Sequence, residues 1–378
     1  MKKNHTVFDL FCGAGGLSLG FEQAGFRVLG GNDYFKAAGE TFKASHKDAK
    51  FYYKPIQSLK GQEILTDFDM KRGELDCLVG GPPCQAYSVY NHKRSIKDER
   101  ANLFKEYLRI VDELFPKWVV IENVTGIKSI DGGQVVETIR DALKSRGYEI
   151  EIRTIFAEDY GVPQERRRVI FFGNRIGSQI YWPKKTHAEN SFTTIYDAIS
   201  DLPELRNGEK LLSCGYPTKP MTDYQQSLRR NSESITNHIA PKLGMINLDR
   251  LKYIEPGGSW RDIPFDLLPN GMKSAKRSDH TKRYGRMKWD GLSCTVLTKC
   301  DIHWGAYIHP SQDRAITVRE AARIQSFPDY VKFFGNRTEQ YRQVGNAVPP
   351  LIGKALAKSI LKTGKLRLHR RKMEKTCG

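Results

Sequence analysis

Short apolar runs recur over residues 6–172, each breaking off into a loop that carries glycine, proline or a single polar group, and this alternation constrains the fold most. Runs at 6–11, 26–30, 76–79 and 118–121 are β-branched or aromatic and read as strands. Between the last two, Leu103, Phe104, Tyr107, Leu108, Val111 and Leu114 fall on one helical face, so a helical crossover is expected there. Repeated βα units of this kind build a parallel sheet. Residues 148–156 and 168–173 read as two more strands, separated by the loop 157–167 and placed to pair antiparallel at the sheet edge.

The character changes after about Pro183. Residues 184–300 are richer in Ser, Thr, Asn, Pro and Gly, their periodicity is weak, and Pro256-Gly257-Gly258 and Pro269-Asn270-Gly271 are turn signals. Helical spacing resumes at 317–327 and 349–362, and the chain closes on a stretch with six Lys or Arg between 365 and 375, expected as a frayed basic tail. The expected organisation is a first domain part at 1–183, a smaller domain at 184–300 and a second part of the first domain at 301–378.

Charge narrows the partners. Lys and Arg number 61 against 43 acidic residues, a net +18, which points to a polyanion such as nucleic acid. The seven cysteines form no CxxC pair and no zinc-finger spacing, so neither a disulfide framework nor a metal site is expected. No apolar stretch approaches the length of a membrane span, and the N-terminus lacks the pattern of a signal peptide. A cytoplasmic site of action is expected.

Four loops carry candidate chemistry. In Phe8-Asp9-Leu10-Phe11-Cys12-Gly13-Ala14-Gly15-Gly16-Leu17-Ser18 a strand runs into a glycine turn that opens a helix, where the backbone can approach a ligand closely. Asp33 follows about 20 residues later, where an acid accepts hydrogen bonds from a ribose diol. Ser18 stands where a dinucleotide fingerprint has its third glycine, so a nucleoside without pyrophosphate fits better; a purely structural turn is the bland alternative. In Val79-Gly80-Gly81-Pro82-Pro83-Cys84-Gln85 two prolines stiffen the approach to a thiol, although a lone cysteine is more often a small buried hydrophobe. Val119-Val120-Ile121-Glu122-Asn123-Val124 ends an apolar strand in a carboxylate, otherwise a turn cap. In Gln164-Glu165-Arg166-Arg167-Arg168 alternate side chains share a direction if the segment is extended, with a solvated basic patch as the default reading.

Together with Gln343-Val344-Gly345-Asn346-Ala347-Val348, these motifs resemble, in order and spacing, the DNA cytosine-5 methyltransferase family of bacterial restriction-modification type. The resemblance covers about 7–173 and 300–360. It implies a Rossmann-like α/β fold, a seven-stranded, mostly parallel sheet with one antiparallel strand, plus a smaller target-recognition domain at 184–300. Phe11, Gly13, Gly15, Gly16 and Leu17 would line the pocket for S-adenosyl-L-methionine, whose product is S-adenosyl-L-homocysteine. Asp33 would meet the ribose and Tyr34 the adenine, with Pro83, Leu103 and Asn346 closing the pocket. Pro55 stands where the family often has an acid reading the adenine amino group, which leaves a backbone contact from Ile56.

The same resemblance makes Cys84 the nucleophile on C6 of an extruded cytosine in double-stranded DNA and Glu122 the residue that holds the ring. Arg166 and Arg168 would orient the base and lower the thiol pKa from about 8.5 toward neutrality. Arg229, Arg230, Lys273, Lys276, Arg277, Lys282 and Arg283 are basic candidates in the smaller domain, none assigned to a base. The early first strand leaves no room for an N-terminal regulatory domain, which favours a stand-alone bacterial-type enzyme, expected as a monomer with no stable protein partner and no membrane contact. Rival readings are a tRNA cytosine-5 methyltransferase, a catalytically silent DNA-binding subunit and a nicotinamide oxidoreductase. The tRNA enzymes carry a Cys-Phe-Thr signature, and the comparable stretch here, Leu292-Ser293-Cys294-Thr295-Val296-Leu297, lacks the phenylalanine.

Overall fold

The first apolar run folds as β1 (Thr6–Leu10), and Val7, Phe8 and Leu10 lose all exposure because sheet neighbours lie on both sides of the strand. This computed structural model describes residues 5–83 and 102–376; Cys84 and Gln85 lie outside the described residues. After β1 come α1 (Gly16–Gln23), β2 (Arg27–Asp33), α2 (Lys36–Ser45), β3 (Lys50–Tyr53), α3 (Gly61–Asp67), β4 (Cys77–Gly80) and α4 (Asn102–Leu114). Next are β5 (Trp118–Val124), α5 (Gln134–Lys144), β6 (Glu149–Phe156) and β7 (Arg167–Asn174).

The seven strands form one sheet in the order β3-β2-β1-β4-β5-β7-β6. Pairing is parallel from β3 to β5, whereas β7 runs antiparallel to both β5 and β6. The mostly parallel sheet with one antiparallel strand is therefore as the sequence implied. β3 escaped the reading because Lys50-Phe51-Tyr52-Tyr53 is a four-residue edge strand that buries only Tyr52 fully. In α4, Tyr107, Leu108, Val111 and Leu114 enter the core, while Leu103 and Phe104 pack against it half-buried, and the Tyr107 hydroxyl donates to the Leu78 carbonyl at 3.1 Å.

The chain divides into two compact units. The first comprises Met1–Phe156, Arg167–Lys185 and Val348–Gly378, and the second Ala157–Arg166 and Thr186–Ala347. The second contains α6 (Ile195–Ile199), β8 (Lys210–Cys214), α7 (Asp223–Arg229), β9 (Ile235–Ile239), α8 (Met245–Leu251), α9 (Asn270–Lys273), α10 (Val318–Ile324) and α11 (Arg337–Asn346). It thus takes in 301–347, beyond the boundary expected at 300, and the physical reason is a buried charge network on α10. Arg314 grips Glu320 with two hydrogen bonds of 2.9 and 2.7 Å, and Arg323 grips Asp329 at 2.9 and 2.6 Å while also reaching Asp201. Arg319 donates to the carbonyls of Thr236 and Val331 at 2.9 and 2.6 Å. Each bond ties α10 to residues of its own unit.

The last helix, α12 (Pro350–Thr376), returns to the first unit and continues through the basic segment expected as a frayed tail. Its packing on α1 depends on two glycines. A Cβ at Gly20 would stand 2.3 Å from the Pro350 carbonyl oxygen, and one at Gly353 would stand 2.7 Å from that of Leu17. Two helix backbones meet there, and neither can give way as a flexible side chain would. We expect Gly20→Ala to destabilise the first unit by roughly 1 to 3 kcal/mol, as overpacking does. Urea denaturation followed by circular dichroism measures it, and an unchanged midpoint would show that the helices can separate without cost.

Candidate active site

Parallel strands deliver their loops to one edge of the sheet, and the predicted residues of the first unit collect at that edge. Phe11, Gly13 and Gly15 follow β1, Asp33 ends β2, Ile56 lies three residues past β3, and Pro83 lies three past β4. Phe11, Gly13 and Gly15 hold positive φ values of 56°, 52° and 82°. The turn closes with Gly15 N–H donating to the Cys12 carbonyl at 2.8 Å, and Gly16 and Leu17 open α1 buried.

The glycines have different jobs. A Cβ at Gly15 would collide with His46 and Phe42 at 2.7 and 2.9 Å, so glycine there serves packing. A Cβ at Gly13 would meet nothing within 4 Å, so the backbone there is open to a ligand. Asp33 fixes this opening by accepting hydrogen bonds from the Gly13 and Phe35 amides, both at 2.9 Å. Tyr34 beside it is 60% exposed. Ile56 is buried, and its carbonyl accepts from Arg109 at 2.9 Å, while Pro83 and Leu103 are half-buried.

This lining has an acid, aromatic and aliphatic groups and open backbone. None of the predicted pocket residues is a cation. The donor set therefore suits a nucleoside with no phosphate, and a positively charged group on it, better than a dinucleotide.

Sequence reading passed over a second function for Asp9 and Ser18. The Ser18 hydroxyl donates to the Asp9 carboxylate beneath the turn, tying the first turn of α1 to β1. Ser18 at the fingerprint's third glycine position is thus a structural tie. Burial pushes the Asp9 carboxyl up to about 7, although the bonds from Ser18 act in the opposite sense.

At the neighbouring strand end, Gly80 pairs with Ile121 between β4 and β5. That register sets Gly81 beside Glu122, so close that a Cβ at Gly81 would lie 3.1 Å from Glu122 Oε2. Asn123 Nδ2 donates to the Pro82 carbonyl at 3.4 Å, which fastens the Pro82-Pro83 segment to β5. From Pro83 the chain runs into Cys84. Arg168, near the start of β7, forms an ion pair of 2.6 Å with Glu122, and the two side chains are only 13% and 12% exposed. Glu122 is therefore held by a cation beside the proline turn and is no simple turn cap.

Gln164 and Arg166 belong to the second unit and are almost fully buried, so the solvated patch taken as the default is not what forms. Arg166 donates to the carbonyls of Val296, Gly345 and Ala347 at 3.3, 3.0 and 2.9 Å. Gln164 accepts from the Val296 amide at 2.9 Å and donates to Gln325. Arg166 thereby brackets Asn346, the last residue of α11. The sequence offered no signal that separates these two buried side chains from Arg168.

A match to the family described as C-5 cytosine-specific DNA methylase runs over residues 5–362. The chain belongs to that family. It is 34% identical to the Type II methyltransferase M.AgeI of Thalassovita gelatinovora over 94% of this chain and 98% of that one. To the Type II methyltransferase M1.HphI of Haemophilus parahaemolyticus it is 33% identical over 94% and 87%. Among solved structures, an E. coli prophage protein assigned as a DNA modification methyltransferase superposes with a TM-score of 0.76 at 24% identity, covering 96% of this chain and all of that one. This C-5 methylase is a DNA cytosine-5 methyltransferase of the Type II restriction-modification kind. No helix among its described residues is long and apolar enough to cross a membrane.

In this methylase the raised Asp9 carboxyl has a linkage consequence. An acid whose folded pKa exceeds its unfolded value contributes stability that is whole below the unfolded value, near 4, and is lost as pH rises through the folded one. A shift from 3.8 to about 7 corresponds to roughly 4 kcal/mol. We expect stability to fall between about pH 4 and pH 7 and Asp9→Asn to remove that component. Urea midpoints measured across that range test it, and parallel profiles for the two proteins would refute it.

Proposed function

We propose that the methyltransferase modifies C5 of a cytosine in a specific duplex DNA sequence, using S-adenosylmethionine, base flipping and a covalent bond from Cys84 to C6. The observation that carries this reading is Glu122, paired with Arg168 and seated against Gly81 where the chain enters Pro82-Pro83-Cys84. A carboxylate on one strand and, in sequence, a cysteine four residues past the end of the neighbouring strand suit attack on one small planar ring.

The target must leave the base stack, at a cost of a few kcal/mol, before a thiol can reach C6. Cys84 thiolate then adds at C6, the C5–C6 double bond opens, and C5 becomes an electron-rich enamine carbon. Glu122 accepts a hydrogen bond from the exocyclic amine and, with a proton held between its carboxyl and N3, offsets the negative charge that addition places on the ring, while Arg168 holds Glu122 in place. Bound S-adenosylmethionine supplies an electrophilic sulfonium methyl for C5. A base, taken here to be solvent, removes the C5 proton, and the thiolate leaves to restore the ring. The open backbone at Gly13, the acid Asp33 and the exposed ring of Tyr34 fit the nucleoside part of that donor. Arg166, whose guanidinium donates to the carbonyls of Val296, Gly345 and Ala347, acts as a positioning residue within its own unit.

The other cysteines support Cys84 as nucleophile. Burial pushes up the thiols of Cys12, Cys77, Cys214, Cys294 and Cys300, the five among the described residues, and keeps them protonated. The enzyme acts as a cytoplasmic monomer on duplex DNA and protects it from a cognate restriction enzyme.

Labelled methyl transfer to unmethylated duplex DNA, with unmodified tRNA in parallel, tests the reading. Label is expected in DNA cytosine and absent with Cys84→Ser, which also forms no adduct with 5-fluorocytosine DNA. An adduct with that variant would remove Cys84 from its role, and label confined to tRNA would replace the substrate. Glu122→Gln is expected to lower kcat roughly 100- to 1,000-fold, the effect of removing one charge-stabilising group, with cofactor binding intact.

A further inference from the structure

Of the five tryptophans, four are built into the protein. Trp118 and Trp260 are buried, and Trp182 and Trp289 are half-buried against aromatic neighbours. Trp304, in the second unit, is 58% exposed. Indole is a large apolar surface, and a tryptophan left this open departs from the usual burial of its type.

Its mounting is rigid. Tyr284 and Ile302 sit in the apolar core of the second unit and are joined by a hydrogen bond of 2.7 Å from the Tyr284 amide to the Ile302 carbonyl. Arg283 and Trp304 flank these anchors on the same two segments. The Trp304 amide donates to the Asp301 carbonyl at 2.9 Å, and His303 is bound to the Asp301 carboxylate and packs edge-on against Tyr284 with ring centroids 4.9 Å apart. The Arg283 guanidinium lies over the indole, 4.8 Å from its centroid. A surface cation–π pair alone is an ordinary feature. A fixed, half-open indole capped by a guanidinium is a stacking platform whose shape is set in advance of binding.

The surroundings choose the partner. Lys273, Lys276, Arg277, Lys282, Lys288 and Lys299 are exposed on the segments that carry this pair, Lys282 lying 3.7 Å from Glu165, and an aromatic plane on segments this basic suits a polyanion with planar groups. We infer that Trp304 stacks on a nucleobase of the bound DNA, one unpaired or partly unstacked in the complex, while Arg283 bonds the adjoining phosphate. An intact duplex hides its base faces, so the contact forms only where the helix is opened. The inference rests on the reading of the protein as a base-flipping DNA methyltransferase and adds a DNA contact to it.

The test uses the full chain and a duplex oligonucleotide carrying the sequence that the wild-type enzyme methylates in plasmid DNA. Trp304→Ala is expected to weaken DNA binding roughly ten- to a hundredfold, the range for losing one base–aromatic stack, with the salt dependence of binding unchanged. DNA is expected to quench tryptophan emission of the wild type, and Trp304→Phe should restore most of the affinity but lose that quenching. Arg283→Ala should lower the salt slope by about one phosphate contact. S-adenosylmethionine binding by each variant reports that it is folded. DNA binding by Trp304→Ala equal to the wild type, or undiminished quenching in Trp304→Phe, would overturn the inference while leaving the methyltransferase reading intact. A wild-type enzyme that labels no DNA would overturn both.

Discussion

The ion pair between Glu122 and Arg168 is the constraint around which the first unit is arranged. Both charges are largely withdrawn from water, so each needs the other, since a buried charge without a partner is costly. The direction of β7 makes the pair possible. Six strands share one direction and present their C-terminal ends at the edge where the predicted residues collect, and a seventh in that direction would present its start at the far edge. Because β7 runs the other way, Arg168 near its beginning pairs across with Val124 and comes beside Glu122. The single antiparallel strand thus supplies from its N-terminal end what the parallel strands supply from theirs.

The second unit handles charge differently. Arg166, Arg314, Arg319 and Arg323 are almost completely buried, and their partners are backbone carbonyls or the carboxylates of Glu320, Asp201 and Asp329. Arginine does this well because its planar fork bonds several acceptors in fixed directions. Arg314, with His309 close by, holds the Glu320 carboxyl well below the usual range, and Arg323 does the same for Asp329. Such a network contributes little net stability compared with an apolar core, but its loss in part is severe, so it fixes one arrangement of the segments it joins.

These buried arginines also explain where the sequence was legible. Motifs that depend on backbone shape could be read residue by residue: the glycine turn, the proline turn and the strand-ending carboxylate each stand at the sheet edge expected for them. The antiparallel pairing of β6 with β7 followed from run lengths and the short connection between them, whereas the strand order did not. What could not be read was the fate of a charged side chain, because Arg166 and Arg168 are two residues apart and chemically identical. One is buried on carbonyls of α11 and its flanks, the other is paired with Glu122. The unit boundary differs from the one expected at 300 for the same reason, since helical spacing at 317–327 does not show which unit holds the partners of Arg314, Arg319 and Arg323. β3 was lost to its brevity.

The predicted contacts at the sheet edge differ in charge in the sense that the proposed methyl transfer would need. After β1 and β2 the predicted contacts offer Asp33, aromatic rings and open backbone, and no cation. After β4 and β5 the carboxylate of Glu122 is answered by the guanidinium of Arg168. A methyl donor that carries its positive charge on sulfur suits the first place, and a ring that gains electron density on addition of a thiolate suits the second. Had the pocket residues after β1 and β2 included a lysine or arginine, a phosphate-bearing cofactor would fit and a sulfonium would be repelled. On the proposed function, the loop glycines would set how closely a ligand approaches, and the sign of the charge at each strand end would decide which of the two reactants it receives.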